Sequence, residues 1–437
     1  MSLSFPRIKS IFNHFNTSKN KNVFKLAFGT LVSQGLIVVS TPLLSRFYGP
    51  AGFGLFAFFI SLTSAFAVLS SLRYENTIVL PKYESESKSL LHLSIFISSI
   101  FSIILFTIWK IFEDLLLLSD KSQTDIVLNL LQIAPYLPFS VFLYGVFQSF
   151  KIFLTRKKYF SLINRCKIED SIFATLFSFS FLFIGPPGLI LGHLLGKFFA
   201  ITVLLRKKIV FFRFLFDFSY IKKLYILFMR YKKYSLLSCI AAIINVFGRE
   251  IPLIVLISAY GLSDAGEFLL CNRLILIPTT LISTSIANEL LSRSSSLYNK
   301  NQLKEEVTRS FKKLFSVSIL LCLVILAVSP LTPFILGSDW NNVPLFMLII
   351  LPRFIGIFTV SSLSTAMAVP KKRLYDVSAH ISQAFITIVF TLLPIYMNLN
   401  SVIGYSLYSL GSFCGYMSFY VFMRHTVVNY EYTKGSV

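Results

Sequence analysis

Long apolar runs, separated by short charged or proline-containing segments, divide the chain into twelve stretches. Most of them approach the roughly 20 residues that an α-helix needs to cross the hydrocarbon core of a bilayer. The predicted spans are 26–45, 53–72, 90–109, 126–150, 171–186, 188–205, 235–259, 267–288, 313–334, 344–366, 375–397 and 401–423. The pattern predicts an all-α polytopic membrane protein with about twelve transmembrane helices.

Composition excludes a soluble protein. The mean hydropathy is +0.73, and 55% of the 437 residues are hydrophobic whereas only 14% are charged. The formal net charge of +22 would indicate nucleic-acid binding in a soluble chain. In a chain of membrane spans the positive-inside rule accounts for this excess. We therefore expect the lipid bilayer, and no nucleic acid, as a partner.

The positions of the cations predict an orientation. Of the 41 Lys and Arg residues, 34 lie in the two termini and in the connections on their side of the membrane. Only Arg46, Lys110 and Lys121 lie in the opposite connections. Because cytoplasmic loops are rich in Lys and Arg, both termini are predicted to be cytoplasmic, with the N-terminus kept as a signal anchor. Trp109 and Trp340 are then expected at the outer face of the bilayer, where amphipathic rings are favoured.

A basic and aromatic segment bisects the chain. Residues 206–234 are typical of an amphipathic cytoplasmic connector that rests on anionic lipid. Six spans lie on either side, which predicts an N-lobe, 1–205, and a C-lobe, 235–437. The strings YGPAGFGLF, at 48–56, and YGLSDAGEF, at 260–268, lie at equivalent turns about 210 residues apart. They indicate a parallel repeat, as in transporters whose two lobes are related by an axis along the membrane normal.

Four strings in the first half resemble a known family. They are LLSRFYGPAGFGLFAFF (43–59), SLRYENTIVLPK (71–82), FLTRKKYF (153–160) and GLILGHLLGKF (188–198). In order and spacing they resemble the bacterial polysaccharide-biosynthesis flippases. These are the O-antigen and capsule translocases of the multidrug/oligosaccharidyl-lipid/polysaccharide exporter superfamily. The resemblance covers residues 25–210, and in the second half only the helix plan matches.

The resemblance implies two six-helix lobes around a central cavity that opens alternately to each side. It implies transfer of an undecaprenyl-diphosphate-linked oligosaccharide from the inner to the outer leaflet of the bacterial cytoplasmic (inner) membrane, for O-antigen and other lipopolysaccharide assembly. The expected partners are this glycan lipid, a polysaccharide polymerase and the chain-length machinery, with a monomer as the transport unit. Family members commonly have Gln and Arg in the sixth helix, where this chain has His193 and Lys197.

Four basic residues lie well inside predicted spans: Lys197, Arg249, Arg273 and Arg353. Each costs about 2.5–3.5 kcal/mol at a helix centre, so a charge inside the membrane is a functional candidate. At 1.5 Å per residue all four lie about 9–16 Å from the outer ends of spans 6, 7, 8 and 10. This layer predicts a cationic belt that binds the diphosphate, with arginine offering bidentate contacts. The alternative is that each cation pairs with a carboxylate and serves packing alone.

Four further residues are candidates for gates. Arg73 and Glu75 end span 2 at the cytoplasmic face, either as an inner gate where substrate enters or as an ordinary interfacial charge pair. Arg46 lies on the outer side, in an outer gate or snorkelling to lipid phosphate. Glu250 adjoins Arg249, but successive helical side chains point in different directions, so full neutralisation of this pair is not expected.

The sequence contains no enzymatic constellation. The histidines are isolated, no HExxH, GxSxG or Walker A string occurs, and the acids do not cluster for metal binding. The five cysteines are widely separated and indicate neither a disulfide framework nor a metal site. We therefore expect a transporter without cofactor or metal, driven by the substrate gradient, the membrane potential or coupled H+ or Na+.

Two other functions stay open. A multidrug or cation antiporter of the same superfamily should carry a carboxylate inside a span of the first lobe, and predicted spans 1 to 6 contain none. A membrane-embedded glycan polymerase or ligase should have a large outer loop with catalytic residues. The longest outer connection, 110–125, is short.

Overall fold

The computed structural model describes residues 18–117, 125–206, 218–275, 302–364 and 373–434, together with Ser283 and Leu290. Within these ranges every regular element is a helix, of α, 3-10 or π type, and no strand occurs. The all-α fold class predicted from the apolar runs is confirmed.

The first helix, α1 (Ser18–Ser70), contains predicted spans 1 and 2 as two arms joined at a bend. The bend lies at Gly49, which has φ 61° and ψ 177°. Glycine adopts a positive φ without steric cost, and Pro50 lacks the N–H that would continue the helical ladder. The predicted outer turn between the first two spans is therefore a hinge of one residue.

The rest of the first half contains five α-helices. They are α2 (Glu84–Leu117), α3 (Asp125–Ile133), α4 (Leu137–Arg156), α5 (Phe160–Ser180) and α6 (Pro187–Arg206). Short 3-10 turns cover Tyr74–Val79, Ala134–Tyr136 and Leu182–Ile184. Predicted span 4 corresponds to α3 and α4, because Pro135 and Pro138 interrupt the helical hydrogen bonds.

The described part of the second half contains seven further α-helices. They are α7 (Phe218–Tyr260), α8 (262–275), α9 (Leu303–Val328), α10 (Thr332–Leu336), α11 (Val343–Gly356), α12 (Arg373–Tyr396) and α13 (Ser401–Lys434). The short helix α10 continues predicted span 9. A π turn, Ile357–Ser361, prolongs α11, and 3-10 turns cover Ser329–Leu331 and Ser338–Trp340. All twelve predicted spans thus overlap helices.

These helices pack as two bundles. In the first, α5 lies along α6 and α1, and α2 lies along α4. In the second, α13 lies along α11 and α12, and α7 lies along α12. The predicted architecture of about twelve helices in two lobes describes this arrangement, while the lobe limits at residues 205 and 235 stay a prediction.

Eight described helical stretches are long and apolar enough to cross a membrane. The first of them contains both arms of α1, and the charged helix α5 is not among them. Sequence hydropathy therefore finds most of the spans of this protein but not every helix of its bundles.

The predicted bounds of span 5, 171–186, are wrong. The helix covers Phe160–Ser180, and its first half carries several charged side chains that break the apolar run. Two of them, Arg165 and Glu169, pair one turn apart at 2.7 Å. A third, Asp170, pairs with a lysine on α6 and lies midway along α5. A helix inside a bundle can contain charged residues when these are paired with neighbouring groups, and a search for apolar runs then misses part of that helix.

Small residues bring α5 and α6 together. The row Gly188, Gly192 and Gly196 on α6 predicts close helix packing, and this is confirmed. A Cβ on Gly192 would lie 2.2 Å from the hydroxyl of Ser178, and one on Gly196 would lie 2.6 Å from the carbonyl oxygen of Asp170. The two backbones therefore touch beside Lys197, the next residue along α6.

The second part of the predicted connector, 218–234, is the beginning of α7 and is continuous with span 7. Its apolar face packs on the N-lobe, where Phe228 stacks on Tyr74 at 5.1 Å between ring centroids. The Tyr74 hydroxyl also donates to the Phe228 carbonyl at 2.8 Å. Lys222 and Lys223 are exposed on the other face. Contact of that basic face with anionic lipid stays a prediction, and residues 207–217 lie outside the described part.

Trp340 is not an interfacial anchor, which corrects the sequence-based expectation. Its side chain is completely buried, and its indole Nε1 donates to the carbonyl of Ser45 at 3.1 Å. The ring also meets Phe53 edge-on, with centroids 5.4 Å apart. Trp340 thus joins the C-lobe to α1 instead of facing lipid.

Candidate functional site

Lys197 forms an ion pair that the sequence did not predict. Its Nζ lies 2.5 Å from Oδ2 of Asp170, and the two side chains are only 10% and 18% exposed. Asp170 is ten residues from each end of α5, about 15 Å from either end. The sequence missed this carboxylate because the predicted span began one residue after it.

Aromatic rings surround this ion pair. The Lys197 ammonium lies 4.8 Å from the ring centroids of both Tyr144 and Phe147. One turn earlier on α6, Nε2 of His193 lies 3.4 Å from the Tyr144 hydroxyl, and its ring meets Phe56 edge-on at 5.7 Å. Cation–π contacts with desolvated ammonium groups are worth about 2 kcal/mol, so this cage stabilises the charged lysine.

Two other lysines lie close to this pair. Lys151, on α4, and Lys167, on α5, are both near enough to interact electrostatically with Lys197. Lys167 donates to the Thr30 hydroxyl of α1 at 2.8 Å. Both were assigned to cytoplasmic connections by sequence, since the predicted spans stop at 150 and begin again at 171. The N-lobe therefore has a wider basic cluster than the sequence indicated.

Arg273 extends from the C-lobe to this aromatic cage. Its guanidinium carbon lies 4.8 Å from the ring centroid of Phe56 and 5.9 Å from that of Phe53, both on α1. Phe56 in turn contacts His193, so the three groups connect the two lobes. Within the described part of the chain Arg273 has no carboxylate in ion-pair contact.

Arg353 also packs over aromatic rings, but these rings belong to the C-lobe. Its side chain packs over Tyr408 at 5.1 Å and over Phe268 at 5.9 Å, measured from the guanidinium carbon to the ring centroids. The residue is only 8% exposed, and its Nε has no hydrogen-bond partner among the described residues. A buried guanidinium N–H without an acceptor costs free energy, so Arg353 is a candidate for binding a ligand or a water molecule.

Arg249 and Glu250 form an ion pair despite being neighbours. Nε of Arg249 donates to Oε1 of Glu250 at 2.9 Å, with the two side chains 53% and 13% exposed. The long arginine side chain bends back to the carboxylate, so the two groups meet although they are successive on the helix. Incomplete neutralisation of the pair stays a prediction. Arg249 and Arg353 line the same cavity inside the C-lobe.

The four predicted cations share one depth but not one surface. Counted from the outer helix ends, Lys197, Arg249, Arg273 and Arg353 lie about 15–16 Å along α6, α7, α8 and α11. Lys197 and Arg273 meet the aromatic cage of the N-lobe, whereas the other two line the C-lobe cavity. Binding of a diphosphate by these residues stays a prediction.

Arg73 and Glu75 lie at a contact between the lobes. Nη1 of Arg73 is 3.3 Å from Oε1 of Glu75, and Oε2 of the same carboxylate accepts a hydrogen bond from the Ser71 hydroxyl. Both Leu72 and Arg73 have positive φ, and the Leu72 carbonyl accepts a hydrogen bond from Ser235 of α7. The turn after α1 is therefore fixed against α7, on the side that the sequence predicts to be cytoplasmic, and its role as an inner gate stays a prediction.

Arg46 binds protein at the predicted outer end of α1. Its Nη2 donates to the carbonyls of Phe334 and Ile335 at 3.2 Å each, at the carboxyl end of α10, where a cation is favoured. The neighbouring Ser45 hydroxyl donates to the Leu336 carbonyl at 3.2 Å. Together these bonds attach α1 to the C-lobe, and a role of Arg46 in an outer gate stays a prediction.

The two repeated strings face each other at this outer contact. Gly49 and Gly261, at equivalent positions, both have positive φ, 61° and 90°. A Cβ on Gly54 would lie 1.8 Å from the Leu262 carbonyl oxygen, and one on its equivalent, Gly266, would lie 1.9 Å from the carbonyl oxygen of Pro50. The contact is reciprocal, as a two-fold relation between repeats requires, and it closes the side of the molecule that the sequence predicts to be the outer one.

Substituting Gly54→Ala is expected to open this closure, because the added methyl would overlap backbone that cannot turn away. In a cysteine-free background, a cysteine at the buried position Ser45 should become labelled by a membrane-impermeant thiol reagent. Gly35→Ala is the control, since a Cβ there meets no atom within 4 Å. Equal labelling in the two variants would contradict a closure that depends on Gly54.

One buried acid escaped the sequence analysis. Glu267, on α8, is 2% exposed, and its Oε2 has no hydrogen-bond partner among the described residues. It lies in the second repeated string, three residues after Asp264, and is the first residue of predicted span 8, where a charge is typical of a span end. It lies near the lobe contact made by Gly266 and not at the layer of cations.

Comparison with known proteins gives a family and a fold. The sequence profile of a family described as polysaccharide biosynthesis protein matches residues 43–344. None of the curated proteins compared with the chain matches it.

Solved structures of similar fold include the lipid II flippase MurJ in an inward closed conformation, with a TM-score of 0.62, 17% identity, and coverage of 93% of this chain and 90% of that one. A multidrug resistance MATE family transporter of the MOP superfamily is similar in its inward-facing conformation, with a TM-score of 0.62, 13% identity, and coverage of 93% and 94%. The outward-facing conformation of such a transporter gives a TM-score of 0.60, 13% identity, and coverage of 96% and 98%.

The matched segment covers more than half of the chain and includes both repeated strings, the Lys197–Asp170 pair and Arg273. The fold of two helical bundles is shared with MurJ and MATE transporters over almost the whole length. With its membrane helices and internal repeat, this chain therefore belongs to the polysaccharide biosynthesis protein family.

Proposed function

We propose that the protein is a flippase for a lipid-linked oligosaccharide. It moves an undecaprenyl-diphosphate-linked glycan from the inner to the outer leaflet of the bacterial cytoplasmic membrane, for assembly of a surface polysaccharide such as O-antigen. Membership of the polysaccharide biosynthesis family supports the glycan, and the fold shared with a lipid II flippase supports the lipid carrier. The transport unit is a monomer that delivers its product to a polymerase and its chain-length machinery.

The observation that carries this proposal is the pair Arg273 and Arg353. Both lie at membrane depth, and neither has a carboxylate in ion-pair contact within the described ranges. An unpaired cation inside a membrane is expensive, and a transported diphosphate would offset that cost only while it is bound. Lys197 and Arg249 complete the predicted belt, although each already has a carboxylate partner.

Closure of the outer side suits alternating access. The contacts of Arg46, Trp340 and the repeated glycine turns hold the lobes together there. The headgroup would be loaded from the cytoplasmic side, past Arg73 and Glu75. Its negative charge would then weaken the repulsion between the buried cations, so that the lobes can rock and open outward.

The orientation has its own test. With both termini cytoplasmic, a cysteine near Asp339 should be labelled by an impermeant reagent in intact cells. Cysteines near Lys157 and Lys223 should react only after permeabilisation, since they belong to the strongly basic side. External labelling at Lys223 would contradict this topology.

The transport reaction is expected to respond to membrane potential. Moving one net negative charge outward across an inside-negative membrane yields about 2.3 kcal/mol per 100 mV. In liposomes containing the purified full-length protein and a lipid-linked oligosaccharide, an imposed inside-negative potential should increase the amount of glycan that an external glycosidase can reach. Protein-free liposomes are the control. Indifference to potential, with strict dependence on an H+ or Na+ gradient, would contradict potential-driven export.

Asp170 favours one second candidate, a multidrug or cation antiporter. The sequence offered no carboxylate inside the first lobe, and the structure provides one at the layer of cations. Its pairing with Lys197 and the lysines around it make that place unsuitable for a cationic drug, so the flippase is preferred. Drug resistance conferred by the wild-type protein and lost in Asp170→Asn, with no glycan transport, would support the antiporter instead.

A further inference from the structure

A cavity of about 210 Å³ lies inside the C-lobe, between α7, α11, α12 and α13. Its polar lining includes Asn245, Arg249, Arg353, His380, Gln383 and Thr387, together with several hydroxyl side chains. The space is smaller than the roughly 300–1,000 Å³ of pockets that enclose drug-sized ligands. It can hold a small group with a few waters, and it cannot hold an oligosaccharide.

The charge of this cavity is positive. Two arginines line it, and none of its described lining residues is an acid. Glu250 is paired with Arg249 at 2.9 Å. Arg249, Glu250 and Arg353 together therefore carry about one net positive charge. A metal cation would be repelled by these guanidinium groups and would find no carboxylate ligand among the described lining residues. An anion would be attracted.

Arg353 gives the cavity an unsatisfied donor. More than nine-tenths of the residue is buried, and its Nε has no partner among the described residues. The faces of Tyr408 and Phe268 cover the guanidinium without accepting its hydrogen bonds. A planar guanidinium that is shielded on its faces presents its N–H groups at its edge, where an oxyanion can accept two of them.

The remaining polar groups suit the same ligand. Amides of Asn245 and Gln383 and the hydroxyl of Thr387 can donate to an oxygen atom, and Arg249 adds a second guanidinium at a side of the cavity that is open to solvent. His380 is held by Asn245, with Nδ1 and Nδ2 3.1 Å apart. Donors outnumber obligate acceptors around the space, which is the arrangement that binds phosphoryl oxygens.

We infer that this cavity is an oxyanion site that takes a phosphoryl group, held by Arg353 with Arg249 at its open side. The four cations of the predicted belt then have different roles. Arg353 and Arg249 bind the phosphoryl group in the C-lobe cavity, whereas the charge of Lys197 is already balanced by Asp170. The ligand chemistry has two sources, a free inorganic anion or the diphosphate of the carried lipid. Only the second source rests on the proposed function.

The test uses inorganic pyrophosphate as the probe. The full-length protein is placed in nanodiscs of zwitterionic phosphatidylcholine, and binding is measured by calorimetry at constant ionic strength. Wild type should bind, and Arg353→Gln should weaken binding at least about tenfold, since it removes charge-assisted hydrogen bonds. Arg353→Lys should retain part of the affinity. Arg249→Gln should weaken binding several-fold. Because it also removes the ion-pair partner of the Glu250 carboxylate, the folded fraction of this variant is measured beside its affinity.

Arg309→Gln is the matched control, an arginine of α9 whose side chain is exposed and does not line the cavity. It should bind pyrophosphate as wild type does. Absence of binding in wild type, or equal binding in wild type, Arg353→Gln and Arg249→Gln, would overturn the inference.

A transport assay on the same variants separates the inference from the proposed function. Lost pyrophosphate binding together with lost glycan transport supports a site for the carried diphosphate. Lost binding with normal transport supports the oxyanion site with a free anion as its ligand and removes its link to transport. Lost transport in Arg353→Gln with unchanged pyrophosphate binding overturns the site and leaves the flippase proposal standing.

Discussion

Replacing both Arg273 and Arg353 by alanine is expected to abolish surface polysaccharide while the protein stays in the membrane at near-normal abundance. Each arginine would lose charge-assisted contacts worth about 1.5–3 kcal/mol to a bound diphosphate, so the pair should lower affinity more than about a hundredfold. Folding should survive, because neither residue has an ion-pair partner in the described ranges that would be left unpaired. Immunoblots of membranes and staining of surface glycan measure the two quantities separately.

Lysine replacements sharpen this experiment. Arg273→Lys and Arg353→Lys keep the charge but lose the planar fork, so part of the activity should remain. Arg309→Ala is a control on an exposed arginine, and it should change neither abundance nor glycan. Normal surface glycan in the double alanine variant would show that this layer is not the substrate site. Low abundance as the main defect would instead favour packing as the role of both residues.

Lys197→Ala is expected to destabilise the protein by about 3–5 kcal/mol, since it leaves the carboxylate of Asp170 buried without its partner. The double variant Lys197→Met, Asp170→Asn removes both charges at similar volume and should recover most of the lost abundance. Thermal unfolding in detergent, followed together with membrane abundance, measures the effect. This large effect on stability separates Lys197 from the two unpaired arginines.

An exposed pair on the same helix provides the comparison. Arg165 and Glu169 are 2.7 Å apart, but the arginine side chain is 61% exposed, so Arg165→Ala should leave the thermal stability close to that of wild type. A stable Lys197→Ala protein that has lost all transport would contradict the structural role of the pair. It would make Lys197 a substrate contact, as the sequence-based belt proposed.

Much of the fold could be read from the apolar pattern. Hydrophobic runs of span length, bounded by charges, gave the positions of all twelve helical regions, because a bilayer requires that many consecutive apolar residues in each crossing. The repeated strings at 48–56 and 260–268 also indicated the two-lobed plan. Their physical meaning emerged only in the structure, where each string packs a glycine against the backbone of the other.

The candidate site was predictable only in part. Arg353 and Arg273 stood out because a cation inside an apolar run has few explanations. Asp170, Lys151 and Lys167 did not, because charges near the ends of apolar runs read as loop residues. The depth of such a charge depends on where its helix begins and on whether a partner neutralises it, and neither is written in the local sequence.

The sequence by itself determined the class of protein, the number of helices and the excess of buried positive charge, because these follow from residue counts and from spacing along one helix. Only the tertiary structure decided which charges are paired. Gly192 and Gly196 bring α5 against α6, so that Lys197 meets Asp170, while Arg353 is enclosed by aromatic rings without an acid in contact. Electrostatic neutralisation depends on distances between different helices, and packing alone sets those distances.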